Sequence, residues 1–158
     1  MDQKKLRHVA GAFPTGVTVV TVQDENGDVI GMTASSFVSI SLDPPNVGFF
    51  VQDSAGIMDN IRVGTKMGIS ILSDKQKLLS DKFAGILHDE VDVKFKQMGD
   101  CFVIPKSIAK YETTVVEIIR TGDHFFVLCE VKNLSRSNKR TPLVYYSGYR
   151  KVGKEVNK

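Results

Sequence analysis

The chain has 158 residues, the size of one ordinary domain, and its 42% hydrophobic content is enough for a real core. Lysine and arginine outnumber aspartate and glutamate only 21 to 18, and the basic residues are scattered, so the charge pattern excludes a nucleic-acid footprint. No apolar run reaches membrane-spanning length, and Met1-Asp2-Gln3-Lys4-Lys5 has no apolar signal core, so a cytoplasmic protein with no membrane partner is expected.

Asp2 to Phe13 reads as a short helix with Leu6, Val9, Ala10 and Phe13 on one face, ended by Pro14. Gly16 to Val22 is β-rich. Asp24-Glu25-Asn26-Gly27-Asp28 is a hairpin signal, because Asn-Gly suits the positive φ of a tight turn, and Val29 to Thr33 is the returning strand. The chain then breaks into the small residues Thr33-Ala34-Ser35-Ser36, extends again, and stops at Pro44-Pro45. Asn46 to Gln52, nearly continuous in apolar residues, predicts a strand buried on both faces. A helix over Ala55 to Arg62 follows, with Asp53 or Ser54 as N-cap. Lys66 to Leu72 is a strand, and Asp74 to Ala84 a helix with Leu78, Leu79 and Phe83 inward. Gly85 to Gly99 is polar and irregular. Val103 to Ile119 and His124 to Val131 are long β segments joined by Thr121-Gly122-Asp123, which pairs them antiparallel. Leu143 to Tyr146 and Tyr149 to Val152 close the series, and a polar, frayed tail runs from Gly153 to Lys158. Many short strands with few helices predict one mainly β domain over 1–158, an antiparallel barrel of Greek-key type with a few flanking helices.

Small residues let a flat ligand lie against backbone whose N–H and C=O groups read its polar edge, so the run Gly31-Met32-Thr33-Ala34-Ser35-Ser36-Phe37 is read as a pocket for a planar, polar-rimmed ring. The alternative is an ordinary Ser/Thr turn at a strand end. Ser54 stands where a strand gives way to a predicted helix, and no Glu or Gln follows to complete a capping box, so its donors are open to a phosphate or serve a plain N-cap. Lys82-Phe83-Ala84 closes an amphipathic helix; Phe83 is most simply core and Lys82 most simply solvent-facing. His124 leads an apolar strand, placed to donate to a ring edge, to act in proton transfer, or simply to bond a turn carbonyl. Tyr145, Tyr146 and Tyr149 either stack on a ligand or pack a strand or dimer interface, and Tyr145 and Tyr146 must point to opposite faces. His8 and His88 receive no role, and the three histidines lack metal-site spacing, so no metal is expected. Cys101 and Cys129, each beside an apolar stretch, fit no zinc or redox motif and are expected to be buried free thiols. The dinucleotide fingerprint and the phosphate-loop motif are absent, so any nicotinamide use occurs outside a Rossmann domain.

Taken together, the chain resembles the flavin reductase-like family, whose fold is an FMN-binding split barrel. The resemblance runs from Phe13 to about Val152. It rests on six segments in family order: Pro14 to Thr21, Gly31 to Phe37, Ser39 to Pro45, Lys82 to Gly85, Gly122 to His124, and Pro142 to Tyr146. It implies an NAD(P)H-dependent flavin reductase and a homodimer binding FMN or FAD, with NADH or NADPH as cosubstrate and a flavin-dependent monooxygenase as possible partner. Met32, Thr33, Ala34, Ser35 and Ser36 would line the flavin largely through backbone. Ser54 would hold the phosphate, with Lys82, Phe83 and Ala84 nearby. His124, Tyr146 and Tyr149 would lie where a nicotinamide stacks, His124 as the catalytic residue. Cys129 stands where the family more often carries glycine, and Lys82 where it often carries arginine. An FMN protein serving electron transfer, or a non-enzymatic module holding flavin or haem on the same barrel, are the alternatives.

Overall fold

The computed structural model describes residues 1–87 and 91–153; His88 and the tail from residue 154 onward lie outside them. The chain opens with helix α1 (Gln3–Ala10), where the Asp2 carboxylate accepts from the Lys4 N–H at 2.9 Å. The apolar face predicted there finds no partner among the described residues: Leu6, Val9 and Phe13 all stay exposed. After β1 (Thr15–Gly16), β2 (Thr18–Gln23) and β3 (Val29–Ala34) form the expected hairpin, with Gly27 at φ 85° in its turn. β4 (Val38–Leu42), β5 (Pro45–Gln52) and β6 (Lys66–Ile71) follow, then α2 (Lys77–Phe83), β7 (Lys96–Met98), β8 (Cys101–Val103), β9 (Ala109–Thr121), β10 (His124–Arg136), β11 (Leu143–Tyr145) and β12 (Tyr149–Lys151).

Seven strands form the main sheet in the order β3-β2-β6-β9-β10-β5-β4, and every pairing is antiparallel. The sheet ends, β3 and β4, are consecutive in the chain yet share no ladder, so the barrel is split there. β1, β11 and β12 make a second small sheet, and β7 with β8 a third. The alternation in β2 separates two cores. Val20 and Val22 face Phe49, Val51, Met67, Ile69, Val115 and Val127 inside the barrel. Val19 faces Leu72, Ile104 and Leu143 on the outside, under Leu79 and Phe83 of α2.

Four expectations need correction. Ala55 to Arg62 is not an α-helix but a 3-10 stretch, Gly56–Asn60, with Ala55 at its start and no side-chain cap. Glycine is a poor helix former, and Ile57 and Ile61 are both anchored in the core, which confines the segment to about one tight turn. The strand expected from Val103 to Ile119 breaks after Val103, because Pro105 has no N–H for a ladder and Lys106 adopts φ 64°. The helix expected from Asp74 starts at Lys77, since the Gln76 side chain accepts from the Ser73 N–H at 2.9 Å and holds a loop there; Leu78 is then 55% exposed rather than inward. Asn46 to Gln52 is buried on one face only toward its end, where Phe50 is 37% exposed and Gln52 is also exposed. Cys101 and Cys129 are buried free thiols, as expected, and burial pushes both up to about 12. Cys129 fits a fully buried position at a β-bulge in the β9–β10 pair.

β8 crosses the outer face of β2 and β6 so closely that the Thr21 hydroxyl donates to the carbonyl of Phe102. Gly68 makes the crossing possible: a Cβ there would lie 1.9 Å from the Phe102 oxygen. Gly68→Ala is expected to destabilise the fold by about 3 kcal/mol, through overpacking against backbone that cannot rotate away, as read by denaturant unfolding.

Candidate functional site

A cleft of about 290 Å³ opens at the split between β3 and β5. β3 contributes Met32, Thr33 and Ala34, the connection beyond it Ser35 and Ser36, β5 Phe50 and Gln52, and β10 His124. The reason lies in strand lengths. β4 pairs only with Pro45 to Gly48, leaving the edge of β5 beyond Gly48 without a strand partner. Ser36 takes that place at one residue: its hydroxyl accepts from the Phe50 N–H at 2.9 Å. Among the described residues, no backbone hydrogen bond outside helices and strands involves Ser35 or Ser36, so their main-chain groups border the cleft without a backbone partner there.

His124 faces Gln52 across the β10–β5 ladder. Its Nδ1 lies 2.7 Å from the Asp123 carboxylate. That hydrogen bond, with the His124 charge, holds the Asp123 carboxyl below its usual range, so the ionised oxygen accepts and Nε2 is the free ring nitrogen. Gly122, at φ 64°, forms the turn before it. The Asp53 N–H donates to the Asp123 carbonyl at 3.0 Å, and Arg120 reaches the Asp53 carboxylate at 3.1 Å. These contacts pin the loop carrying Ser54 to the turn carrying His124.

A second hollow of about 210 Å³ shares Thr33 and Ser35 with the first and continues it toward α2, lined by Val17, Ser80, Ala84, Ile86, Tyr145 and Tyr149. Its wall is a polar network. The Thr33 hydroxyl donates to the Ser80 carbonyl at 2.7 Å, fixing β3 to α2. The Tyr149 hydroxyl donates to Asp81 Oδ1 at 2.7 Å and lies 2.9 Å from the Ser80 hydroxyl. Lys77 Nζ meets Asp81 Oδ2 at 2.7 Å. Asp81 is 8% exposed, and it is the Lys77 hydrogen bond first, then that from Tyr149, that keeps its carboxyl below the usual range. Burial first, with the Asp81 carboxylate, pushes the Tyr149 phenol up, so it remains a donor at neutral pH. Tyr145 stands edge-on to Tyr149, ring centroids 5.6 Å apart.

Of the residues singled out in the sequence, Met32, Thr33, Ala34, Ser35, Ser36 and His124 meet in the first hollow, and Ala84 and Tyr149 join in the second. Ser54, Lys82, Phe83 and Tyr146 line neither. Ser54 is exposed beyond Gln52, and Tyr146 is 46% exposed in the β11–β12 turn. The ring of Phe83 packs on Phe95 and on Gly31, where a Cβ would lie 2.9 Å from it, so this side chain belongs to the core. Sequence reasoning missed Phe50, Gln52, Ser80 and Asp81. Gln52 was reachable, because a polar residue ending an apolar strand marks an exposed rim; Ser80 and Asp81 look like an ordinary helix face. Among the described residues, no group of three or more His, Cys, Asp or Glu is arranged for a metal ion, and no helix is long and apolar enough to cross a membrane.

Asp81 binds its proton more weakly folded than unfolded. Its contribution to stability is therefore complete above the ordinary carboxylate value of 3.8 and is lost as pH falls through its lower, folded value. Asp81→Asn is expected to flatten this acid limb. Denaturant midpoints followed from neutral pH into acid would show a shallower decline in the variant than in the wild type.

The flavin reductase like domain family matches residues 10–153. The reductase subunit Stc3 of stachydrine N-demethylase from Rhizobium meliloti is 38% identical over 133 residues, 82% of this chain and 57% of that protein. The chain spans about half the length of the first curated relatives it matches, 44% and 57%. Among solved structures, the flavin reductase PheA2 in its native state superposes with a TM-score of 0.92 at 37% identity, covering 98% of this chain and 100% of that one. The NADH:FAD oxidoreductase SgcE6 of Streptomyces globisporus, in complex with NAD and FAD fragments, superposes with a TM-score of 0.89 at 31% identity, covering 99% and 96%. A split antiparallel barrel with its polar cleft at the split, matched over nearly its whole length, places this chain in the flavin reductase-like family.

Proposed function

We propose that the protein is an NAD(P)H-dependent flavin reductase that binds FMN or FAD in the cleft at the split and supplies reduced flavin to a partner monooxygenase. The observation that carries this reading is the convergence of the small-residue run and His124 on one cleft, from opposite sides of the barrel opening. The residues fit a flavin. Ser35 lies in both hollows with its main-chain groups lacking a backbone partner there, and the small side chains around it let a ring approach the backbone. Thr33 and Ser36 would act through backbone, because their hydroxyls already bond Ser80 and Phe50. The flavin, when bound, supplies the electron-accepting ring for NADH or NADPH.

The chain's own task is position and electrostatics. Ser35 and its neighbours would read the polar ring edge. His124, its Nδ1 held by Asp123, would present Nε2 to the nicotinamide or the ring edge and orient the pair. Tyr149, fixed by Asp81 and Ser80, would form the wall against which a nicotinamide packs, with Tyr146 at the outer rim. Ser54 and Lys82, outside both hollows, would meet a phosphate directed toward solvent. Delivery to a monooxygenase is supported by the relative named as a demethylase reductase subunit, and a cytoplasmic setting by the two free thiols.

We infer a homodimer from the edge strand β4. Val38, Ile40 and Leu42 are all exposed along it, Leu42 by 91%, and the bulge between Ser39 and Ser41 presents apolar side chains on both of its faces. An apolar edge of this kind calls for cover, and β4 pairs with the strand that carries Phe50 and Gln52, so a partner would stand beside the cleft. Ile40→Asp with Leu42→Asp is expected to turn a dimer into a monomer by light scattering; an unchanged mass would remove this edge strand from the interface.

The function is tested by following NADH and NADPH oxidation at the nicotinamide band with and without FMN or FAD. Rapid oxidation that depends on flavin is expected, and no oxidation by flavin-loaded protein would overturn the reading. His124→Ala is expected to slow stopped-flow flavin reduction by about tenfold, the loss of one good hydrogen bond, with less effect on flavin affinity.

A further inference from the structure

A hollow of about 560 Å³ shares no lining residue with either half of the flavin cleft. It takes Gln76 and Leu79 from the start of α2, whereas the cleft takes Ser80 and Ala84 from later in that helix. Its rim is cationic. Lys75 precedes α2, Lys94 precedes β7, Lys106 stands in the break between β8 and β9, and Lys139 with Arg140 precedes β11. In sequence these look like scattered surface charges; the fold sets all five around one concavity.

The carboxylates of the described lining residues are fewer than these cations. Among the described residues only Asp74 and Asp92 bring a carboxylate to the hollow, and Asp74 is already engaged by Lys151 at 3.5 Å. None of the five cations forms an ion pair among the described residues. The positive field extends past the rim: besides burial, the charges of Lys96 and Arg140 hold the Lys110 ammonium below its usual value. Lys106 is one of two non-glycine residues with positive φ among the described residues, a conformation that crowds Cβ against the backbone. The floor is apolar, formed by Leu79, Ile104 and Pro105.

We propose that this hollow is a second ligand site, for a phosphorylated small molecule of nucleoside diphosphate type. Two or more anionic groups would meet the lysine and arginine rim, and a planar or apolar body would lie on the floor. The volume is that of small-molecule sites. Concavity over an apolar floor favours a small molecule over an acidic protein segment, which needs only an open charged face. The site does not depend on the flavin reading, since the two share no lining residue.

ADP and, separately, inorganic pyrophosphate are titrated by calorimetry into protein saturated with FMN. One saturable site is expected, tighter for ADP than for pyrophosphate and weakened by added salt. Lys106→Asn with Arg140→Gln is expected to raise the ADP dissociation constant at least about tenfold and to leave FMN affinity unchanged. Asparagine accepts the positive φ at this position, and Lys75→Gln, an exposed single change, gives the same direction should the double variant fold poorly. No saturable binding of either probe overturns the proposal. So does equal affinity in the folded variants, displacement of ADP by FMN, or binding of polyglutamate in place of ADP.

Discussion

The strand edge of β5 is the constraint on which the site depends. β10 pairs with β5 along nearly its whole length on one side, while β4 covers only the first half on the other. A bare strand edge exposes backbone donors and acceptors that must find partners or water. At Phe50 the partner is the Ser36 hydroxyl rather than another strand. A side chain in place of a strand satisfies the backbone yet leaves the barrel open, and the opening is the cleft. The small residues from Thr33 to Ser36 follow from the same requirement, since bulky groups there would fill the space that the missing strand leaves.

The second wall is held differently. Three elements distant in sequence, β3, α2 and β12, are tied by one polar chain: Thr33 to the Ser80 carbonyl, then Tyr149 and Lys77 converging on Asp81. A carboxylate as enclosed as Asp81 is tolerated because both oxygens have donors, one of them charged. The network fixes the Tyr149 ring while leaving its face to the hollow. On the proposed reading, ligand recognition would fall mainly to the strip around Ser35, since the side chains of this wall already bond one another. A grip of that kind suits a ligand that must enter and leave.

The same packing logic explains where charge collects. Lysines and arginines are driven to loops by their solvation, and the loops at the start of α2, before β7, between β8 and β9 and before β11 come together around one hollow. Nothing local selects that juxtaposition. It arises because β2 lies under both α2 and β8, which brings the start of α2 and the break after β8 to one side of the sheet.

Much of the fold was legible in the chain because its determinants are local. Asn26-Gly27 specifies a hairpin through the positive φ that glycine accepts, and the alternation in Thr18 to Val22 specifies a strand with two buried faces. Gly122 and the apolar stretches beside it specify the long β9–β10 hairpin. The run from Met32 to Ser36 and the lone His124 could be named from their chemistry, and the family resemblance from six short segments. What the sequence could not decide was set by distance in space. Only the register of β10 against β5 puts Gln52 opposite His124. Only the packing of α2 turns Ser80 and Asp81 toward Tyr149. Local propensities act within a few residues, whereas the cleft is made by elements up to roughly a hundred residues apart in the chain, whose meeting depends on burying both cores at once.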